Sequence, residues 1–477
     1  MADRFESIRT ELAAHHQDHL LAFFGELSSA QRDALLDQIE ELDLGEIDVL
    51  IARYVRQKPD IAIPDDLEPA PYYANNPASG PMPYDAAHFR AEGERLVREG
   101  RIAAFTVAGG QGTRLGWNGP KGTFPATHVT GKPLFRIFAE QMTAAQARYR
   151  TVIPWYIMTS PVNDDATRAF FTDNNWFGLN RRDVFLFPQG VMPSFEIGAG
   201  RMLLADKATL AVNPDGHGGA IRALYHQGAL DDMAGRGVDH LSYFQVDNPL
   251  VRIIDPLFIG LHALAPDSSG EMSSKMLPKA SPDEKVGVFA RSRGKTMVIE
   301  YSDLPERLAQ WRDDDGKLRF IAGSIAIHMI GRAFLERLTR GGDFRLPWHR
   351  AEKKVPHVDP ATGKFIDPQK PNAVKLEAFV FDAIQFAESS IVYETTRIEE
   401  FAPIKNAAGV DSVQSSHELQ NERSARWLEQ RGVHVPRDQS GRPSARIEIS
   451  PITAMSAWEI PSDLLPGTVG AGEDIVL

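Results

Sequence analysis

The chain has 477 residues, a formal net charge of −12, 43% hydrophobic residues and no cysteine. The length exceeds what one hydrophobic core usually serves, so a main domain with smaller appended ones is expected. Lack of Cys excludes a disulfide framework and thiolate metal sites, and the acidic balance argues against nucleic acid or anionic lipid as a partner. The opening Met-Ala-Asp-Arg-Phe-Glu has no apolar signal core, and the longest apolar stretches, such as Ile321 to Ile330, are too short and interrupted to span a bilayer. A cytoplasmic protein is therefore expected.

From Gln17 to Leu42, Leu20, Leu21, Phe24, Leu35, Leu36 and Ile39 recur at roughly helical spacing, which predicts a helical N-terminal module. Lys58 to Tyr84 is rich in Pro, Asn and Asp and reads as an extended linker over a neighbouring surface, so a first boundary falls at residue 84. Helical and strand patterns then alternate: helix over about 85–99, strand over Ile102 to Ala108, helix over Pro133 to Arg148, strand over Val152 to Thr159. Val184 to Phe187 and Leu241 to Val246 read as further strands, and Val286 to Asp303 as a hairpin around Ser292-Arg293-Gly294-Lys295. The alternation implies an α/β fold with a doubly wound, mixed, Rossmann-like sheet over residues 85–408, with ligands at the carboxyl ends of its strands. Residues 409–477 form a small C-terminal domain in this reading, with a charged helix over Asp411 to Gly432 and a strand at Ala445 to Ser450.

The most informative stretch is Val107-Ala108-Gly109-Gly110-Gln111-Gly112-Thr113-Arg114-Leu115-Gly116, followed by Gly119-Pro120-Lys121-Gly122. It leaves the end of a short apolar strand, and its glycines let backbone N–H groups approach phosphate oxygens that a Cβ would obstruct. Arg114 and Lys121 supply charge. Neither the P-loop nor the dinucleotide spacing is present. Elsewhere the residues alone leave alternatives open. Asp247-Asn248 reads as a turn or a metal-binding strand end, Glu300-Tyr301 as exposed hairpin residues, and Lys375 and Lys405 as solvated lysines. No zincin helix or Gly-x-Ser-x-Gly elbow occurs, so nucleophilic catalysis is unsupported.

The loop together with Pro-Lys-Gly resembles the UDP-sugar pyrophosphorylase family, nearest its UDP-N-acetylglucosamine pyrophosphorylase branch. Further matching stretches follow in the family's order: Phe187-Pro188-Gln189-Gly190, Asp215-Gly216-His217-Gly218-Gly219, Val246-Asp247-Asn248, Val298 to Asp303, Val374-Lys375-Leu376-Glu377 and Phe401 to Asn406. The resemblance implies a nucleotidyltransferase that joins UTP to a sugar 1-phosphate, most closely N-acetylglucosamine 1-phosphate, by in-line attack on the α-phosphorus. Glucose 1-phosphate or a broad hexose specificity is the alternative, and an inactive UDP-sugar sensor the reading from a different class. It also implies roles for residues. Arg114, Lys121 and Lys405 match catalytic cations, and Ala108, Gly109, Gly110, Gly112, Gln189, Gly216 and Lys375 match nucleotide contacts. His217, Glu300, Tyr301 and Ser324 match sugar contacts, and Asp247 matches the ligand of a Mg2+ cofactor. Two positions depart from the branch, which usually carries Asn where His217 and Ser324 stand. Both changes alter pocket volume and reach at the sugar.

Overall fold

The computed structural model describes residues 2–59, 63–80, 82–341, 344 and 346–477. The chain forms two compact units, each discontinuous in sequence. The larger takes residues 63–188, 221–344 and 381–477, and the smaller takes residues 1–62, 189–220 and 345–380.

The larger unit is built on a ten-stranded mixed sheet. Ile102–Val107 runs parallel to Trp155–Thr159 on one side and to His240–Gln245 on the other, with Val184–Pro188 beyond Trp155–Thr159. Its sequence, Ile-Ala-Ala-Phe-Thr-Val, is buried at every position but the last, the pattern of a parallel strand covered on both faces. Helices Ala86–Arg98, Leu134–Tyr149 and Pro256–Leu264 contribute Phe89, Leu96, Phe135, Phe138, Phe258 and Leu261 to the core over this sheet. Two glycines let helices Ala86–Arg98 and Pro256–Leu264 touch backbone to backbone. A Cβ on Gly93 would lie 1.8 Å from the Pro256 carbonyl oxygen, and one on Gly260 1.7 Å from that of Phe89.

The chain moves outward from Ile102–Val107 through Trp155–Thr159 to Val184–Pro188, then returns to lay His240–Gln245 on the opposite side. That reversal makes the carboxyl ends of Ile102–Val107 and His240–Gln245 a topological switch point, where open α/β sheets bind ligands. Ala322–Gly331 then pairs antiparallel with His240–Gln245 and Met272–Pro278, and the hairpin Val288–Ser292 with Lys295–Ile299 completes that side. The α/β mixed-sheet expectation holds.

Local expectations hold with shifted ends. The strand expected from Val152 begins at Trp155, because Pro154 has no N–H to give a ladder. The C-terminal helix spans Val413–Gln430, opened by a capping box at Ser412, and the strand near residue 446 is Arg446–Glu448, paired with Asp474–Val476. Trp427, Leu428, Val433, Ile447 and Ile460 give this region an apolar cluster of its own. The Lys58 to Tyr84 stretch is extended in part: Glu68–Pro69 pairs with Val288–Ser292 and the Tyr73 amide donates to the Val392 carbonyl at 2.9 Å, while residues 75–80 turn, with the Ser79 amide donating to the Asn76 carbonyl at 3.0 Å. Residues 60–62 and 81 of that stretch lie outside the described residues.

In the smaller unit, the helical segment expected over residues 17–42 is divided into two short 3-10 turns, Asp18–Leu21 and Phe24–Glu26, and the helix Ser29–Glu40, with Ala2–Ala14 preceding them. Gln38 at the end of Ser29–Glu40 donates to the Ala208 carbonyl and accepts from the Leu210 amide, which ties the helix to a β-hairpin. The unit's strands are short. Trp348–Lys353, Ala373–Ala378 and Phe195–Glu196 form one sheet, Val191–Pro193 pairs with Val212–Pro214, and four strands of two or three residues form another. Among the described residues no helix is long and apolar enough to cross a membrane.

Candidate functional site

Strand register decides which candidate residues share a rim in the larger unit. Gln245 is level with Val107, so the Gly-rich loop and Val246-Asp247-Asn248 leave adjacent strands at the same edge. Ala322–Gly331 runs the other way, with Tyr243 against His328, so its amino end, bearing Ser324, reaches that edge too. Val288 is level with both Gly323 and Ile299, which carries Glu300 and Tyr301 there.

The loop folds back on itself. The Gly112 amide donates to the Gly119 carbonyl at 2.9 Å and the Lys121 amide to that of Gly110 at 3.0 Å, which returns Lys121 to the strand end. Gly116 and Gly119, at φ 70° and 150°, supply turns that other residues resist. A Cβ on Gly112 would meet Trp117 at 2.7 Å, whereas one on Gly110 would meet nothing within 4 Å. Gly112 is thus required by packing. Gly110 is open on the side where a ligand's phosphates could approach the backbone. Ala108 is buried and bonds through its amide to Met158 at 2.7 Å. Asn163 steadies the loop by donating to the Ala108 and Gly110 carbonyls at 3.0 and 3.3 Å. Nothing in the spacing of the loop pointed to Asn163. Arg114 is exposed on the short turn Thr113–Leu115.

Lys121 Nζ lies 3.9 Å from Asp247 Oδ2, and both side chains are mostly buried. Lys405 reaches the same place through backbone bonds. The Ile404 amide donates to the Asp247 carbonyl at 2.8 Å, while Asn248 accepts from the Ala402 amide at 3.0 Å and donates to the Glu400 carbonyl at 2.6 Å. Asn248 therefore clamps residues 400–402 beside the strand end, and the next turn of chain delivers Lys405. The sequence reading weighed Asp247-Asn248 only as turn or metal ligand and missed this clamp. Lys405 Nζ lies 3.7 Å from Asp411 Oδ2. Burial pushes the Asp411 carboxyl up, Lys405 opposes this and Asp247 reinforces it, so two lysines and two carboxylates share one electrostatic neighbourhood.

Behind the clamp is a buried brace. The fully buried Lys275 bonds Asp255 at 2.6 Å and both oxygens of Glu400 at 2.7 Å. Burial alone would raise the Asp255 pKa, but Lys275 and Arg252 outweigh it and hold the carboxylate low. Lys275 stands where Met272–Pro278 bulges against Ala322–Gly331, and Ala326 opposite has φ 54°, a strained value for a residue with a Cβ. On the hairpin side, Gly287 accepts from the Ser324 amide at 2.7 Å, and a Cβ on Gly287 would lie 3.4 Å from Glu300 Oε1. Ser324 and Glu300 are neighbours across that glycine. Tyr301 beside them is 47% exposed.

The remaining candidates, Gln189, Gly216, His217 and Lys375, belong to the smaller unit. Gln189 is buried and donates through Nε2 to Asp215 Oδ1 at 3.3 Å, which fixes the direction of its amide. Asp215 also bonds backbone to backbone with Gly190 and Ala378. Gly216 has φ 85°, and a Cβ there would lie 2.4 Å from the Ala378 carbonyl oxygen. The His217 ring stacks on Phe379, which also stacks on His349, and its Nδ1 accepts from the Val380 amide at 3.1 Å. Burial, then the neighbouring His349, lowers its pKa to about 4, so the ring is neutral at pH 7 with its proton on Nε2. Lys375 lies on Ala373–Ala378 on the same face as Glu377, and burial lowers its pKa against the opposing effect of that carboxylate.

The comparisons with known proteins agree with this geometry. The sequence profile of the UTP–glucose-1-phosphate uridylyltransferase family matches residues 82–437. The UDP-N-acetylhexosamine pyrophosphorylase-like protein 1 of Xenopus tropicalis is 36% identical over 455 residues, covering 93% of this chain and 88% of its own. The UDP-N-acetylglucosamine diphosphorylase 2 of Arabidopsis thaliana is 34% identical, covering 90% and 85%. Among solved structures, the uridine diphosphate N-acetylglucosamine pyrophosphorylase of Trypanosoma brucei superposes with a TM-score of 0.78 at 27% identity, covering 96% of this chain and 94% of that one. With a profile match over most of its length, relatives above 30% identity and a switch-point rim of glycine loop, lysines and carboxylate, the chain belongs to the UTP–glucose-1-phosphate uridylyltransferase family of nucleotidyltransferases.

Proposed function

We propose that the chain catalyses the Mg2+-dependent transfer of a uridylyl group from UTP to N-acetylglucosamine 1-phosphate, releasing pyrophosphate. The observation that carries this reading is the convergence of Lys121, Asp247 and Lys405 at the end of adjacent parallel strands. A phosphate oxygen of the sugar 1-phosphate forms the new bond to the α-phosphorus as the bond to the pyrophosphate oxygen breaks. No side chain needs to take up the phosphoryl group, so the protein's work is to hold two anions in line and balance the charge that builds up. The Gly109-Gly110 backbone, Arg114 and Lys121 face the triphosphate in this reading, and Lys405 the α-phosphate and the incoming phosphate. Gln189 and Gly216 recognise uracil with Lys375 near the phosphates, and Glu300, Tyr301, Ser324 and His217 meet the sugar. A carboxylate that accepts from two sugar hydroxyls discriminates because either hydroxyl left unpaired is costly.

Among the described residues no group of three or more His, Cys, Asp or Glu is arranged to hold a metal alone. One carboxylate at a phosphate site is nevertheless a common arrangement for Mg2+, which keeps waters and takes the rest of its ligands from the substrate. Asp247 suits that donor set. When bound, the ion would neutralise charge on the substrate's phosphates. The cytoplasm remains the compartment we assign.

Glucose 1-phosphate is the second reading, favoured by His217 and Ser324. A neutral imidazole and a short hydroxyl stand where the N-acetylglucosamine branch usually carries two amides, and they change the space for a 2-acetamido group. Pyrophosphate release from UTP, Mg2+ and each sugar phosphate, with a metal-free control, separates these readings. Preference for the acetamido sugar is expected. Preference for glucose would replace the first reading with the second, and silence with both would leave the sensor.

A further inference from the structure

We infer that the larger unit carries a second anion site, distinct from the rim, in a cleft between helices Ala86–Arg98 and Leu134–Tyr149 and the segment around residues 451–459. Its ligand class is a small phosphate ester with a hydroxylated body. The cleft has a volume of about 500 Å3, within the usual range for small-molecule sites, and none of the rim residues lines it.

Arg252 is the anchor. Arg252 lines this cleft, and among the described residues no hydrogen bond or ion pair engages its guanidinium. The nearby carboxylates are committed elsewhere: Lys275 takes Asp255 and Glu400, and Trp427 Nε1 donates to Glu399. They still favour the charged form of Arg252 against the effect of burial, so its positive charge persists. A partly buried guanidinium with its fork of donors unmet is matched by the paired oxygens of a phosphate or carboxylate. Arg90, an exposed residue of the same lining, adds a second cation, while Arg148 is already paired with Glu459 and Glu94 with Arg98. Gln141, Thr453 and Ser456 offer neutral polar groups for the rest of a hydroxylated ligand.

The test is titration calorimetry of the full chain with inorganic phosphate and with glucose 6-phosphate, in the presence of saturating UDP-N-acetylglucosamine to occupy the rim. The same titrations are run on Arg252→Met, on Arg90→Ala, and on Ala144→Phe, which fills the cleft without touching a charge. Binding by the parent chain that weakens at least tenfold in Arg252→Met and in Ala144→Phe, and severalfold in Arg90→Ala, is the expected result. Thermal melts identify any variant that has lost its fold, and Ala144→Phe decides the matter if Arg252→Met proves unstable. Absence of binding in the parent chain, or binding that Ala144→Phe leaves unchanged, overturns the inference. Should the enzyme prefer glucose 1-phosphate, UDP-glucose takes the place of UDP-N-acetylglucosamine at the rim in every titration.

Discussion

The two units hold their candidate residues by different means. In the larger unit the rim is formed by backbone that continues straight from buried parallel strands, so Gly109, Gly110 and Asp247 inherit their positions from the core. In the smaller unit Gln189, Gly216 and His217 are fixed by contacts between short segments far apart in sequence: Asp215 with Gln189, Gly216 against Ala378, His217 with Val380. A site on strand ends tolerates side-chain loss without losing its shape. A site made by close backbone approach depends on each contact.

Substitutions can break or sharpen that contrast. The largest effect is expected at the rim. Lys121→Ala or Asp247→Ala should lower turnover by about two to four orders of magnitude with the melting temperature nearly unchanged, as for other groups that meet transition-state charge. Turnover within tenfold of the parent would remove that residue from the mechanism. Asn248→Ala leaves the Ala402 amide and Glu400 carbonyl without their partner, a loss of about 1–3 kcal/mol for each buried group. It should therefore lower both stability and turnover, and an unchanged kcat would show that Lys405 needs no clamp. In the smaller unit Gly216→Ala forces a Cβ into the Ala378 carbonyl at φ 85°, so stability should fall by about 1–3 kcal/mol and the KM for UTP should rise more than kcat falls. His217→Asn and Ser324→Asn should change the ratio of rates on acetamido and plain hexose phosphates by roughly 10–100-fold.

The His217 pKa gives a test by pH. Its value in the folded chain, about 4, lies below its ordinary 6.5, so the unfolded chain binds a proton more readily. The stability it contributes is complete above pH 6.5 and is lost as pH falls toward 4, amounting to about 3 kcal/mol at most. His217→Asn should flatten that part of a stability-against-pH curve measured by urea denaturation. An equal slope in both proteins would show that the ring protonates freely in the fold.

The same contrast explains what could be read from sequence. Ile102–Val107, the hairpin at Ser292 to Lys295 and the helix Val413–Gln430 carry local signals, respectively an apolar run, a Gly turn and a capped charged helix, and they were legible. Ala322–Gly331 was not, because Ala-Gly-Ser-Ile-Ala-Ile-His-Met-Ile-Gly mixes small residues with a buried His and gives no alternation. Nor were the strands of the smaller unit, two to six residues long and paired across wide gaps, as when Val374 meets Phe195. The motifs located Lys121, Asp247 and Lys405. They gave no hint of Asn163, of the clamp that Asn248 makes or of the Lys275 brace, whose roles exist only once distant segments meet.

The Asn248 clamp also bears on biosynthesis. Its partner Ala402 lies 154 residues further along the chain, so during translation the glycine loop and Asp247 emerge long before the segment that brings Lys405. Contacts of such separation form late in folding. A nascent or prematurely ended chain that stops short of residue 400 would carry the glycine loop, Lys121 and Asp247 with no Lys405 beside them.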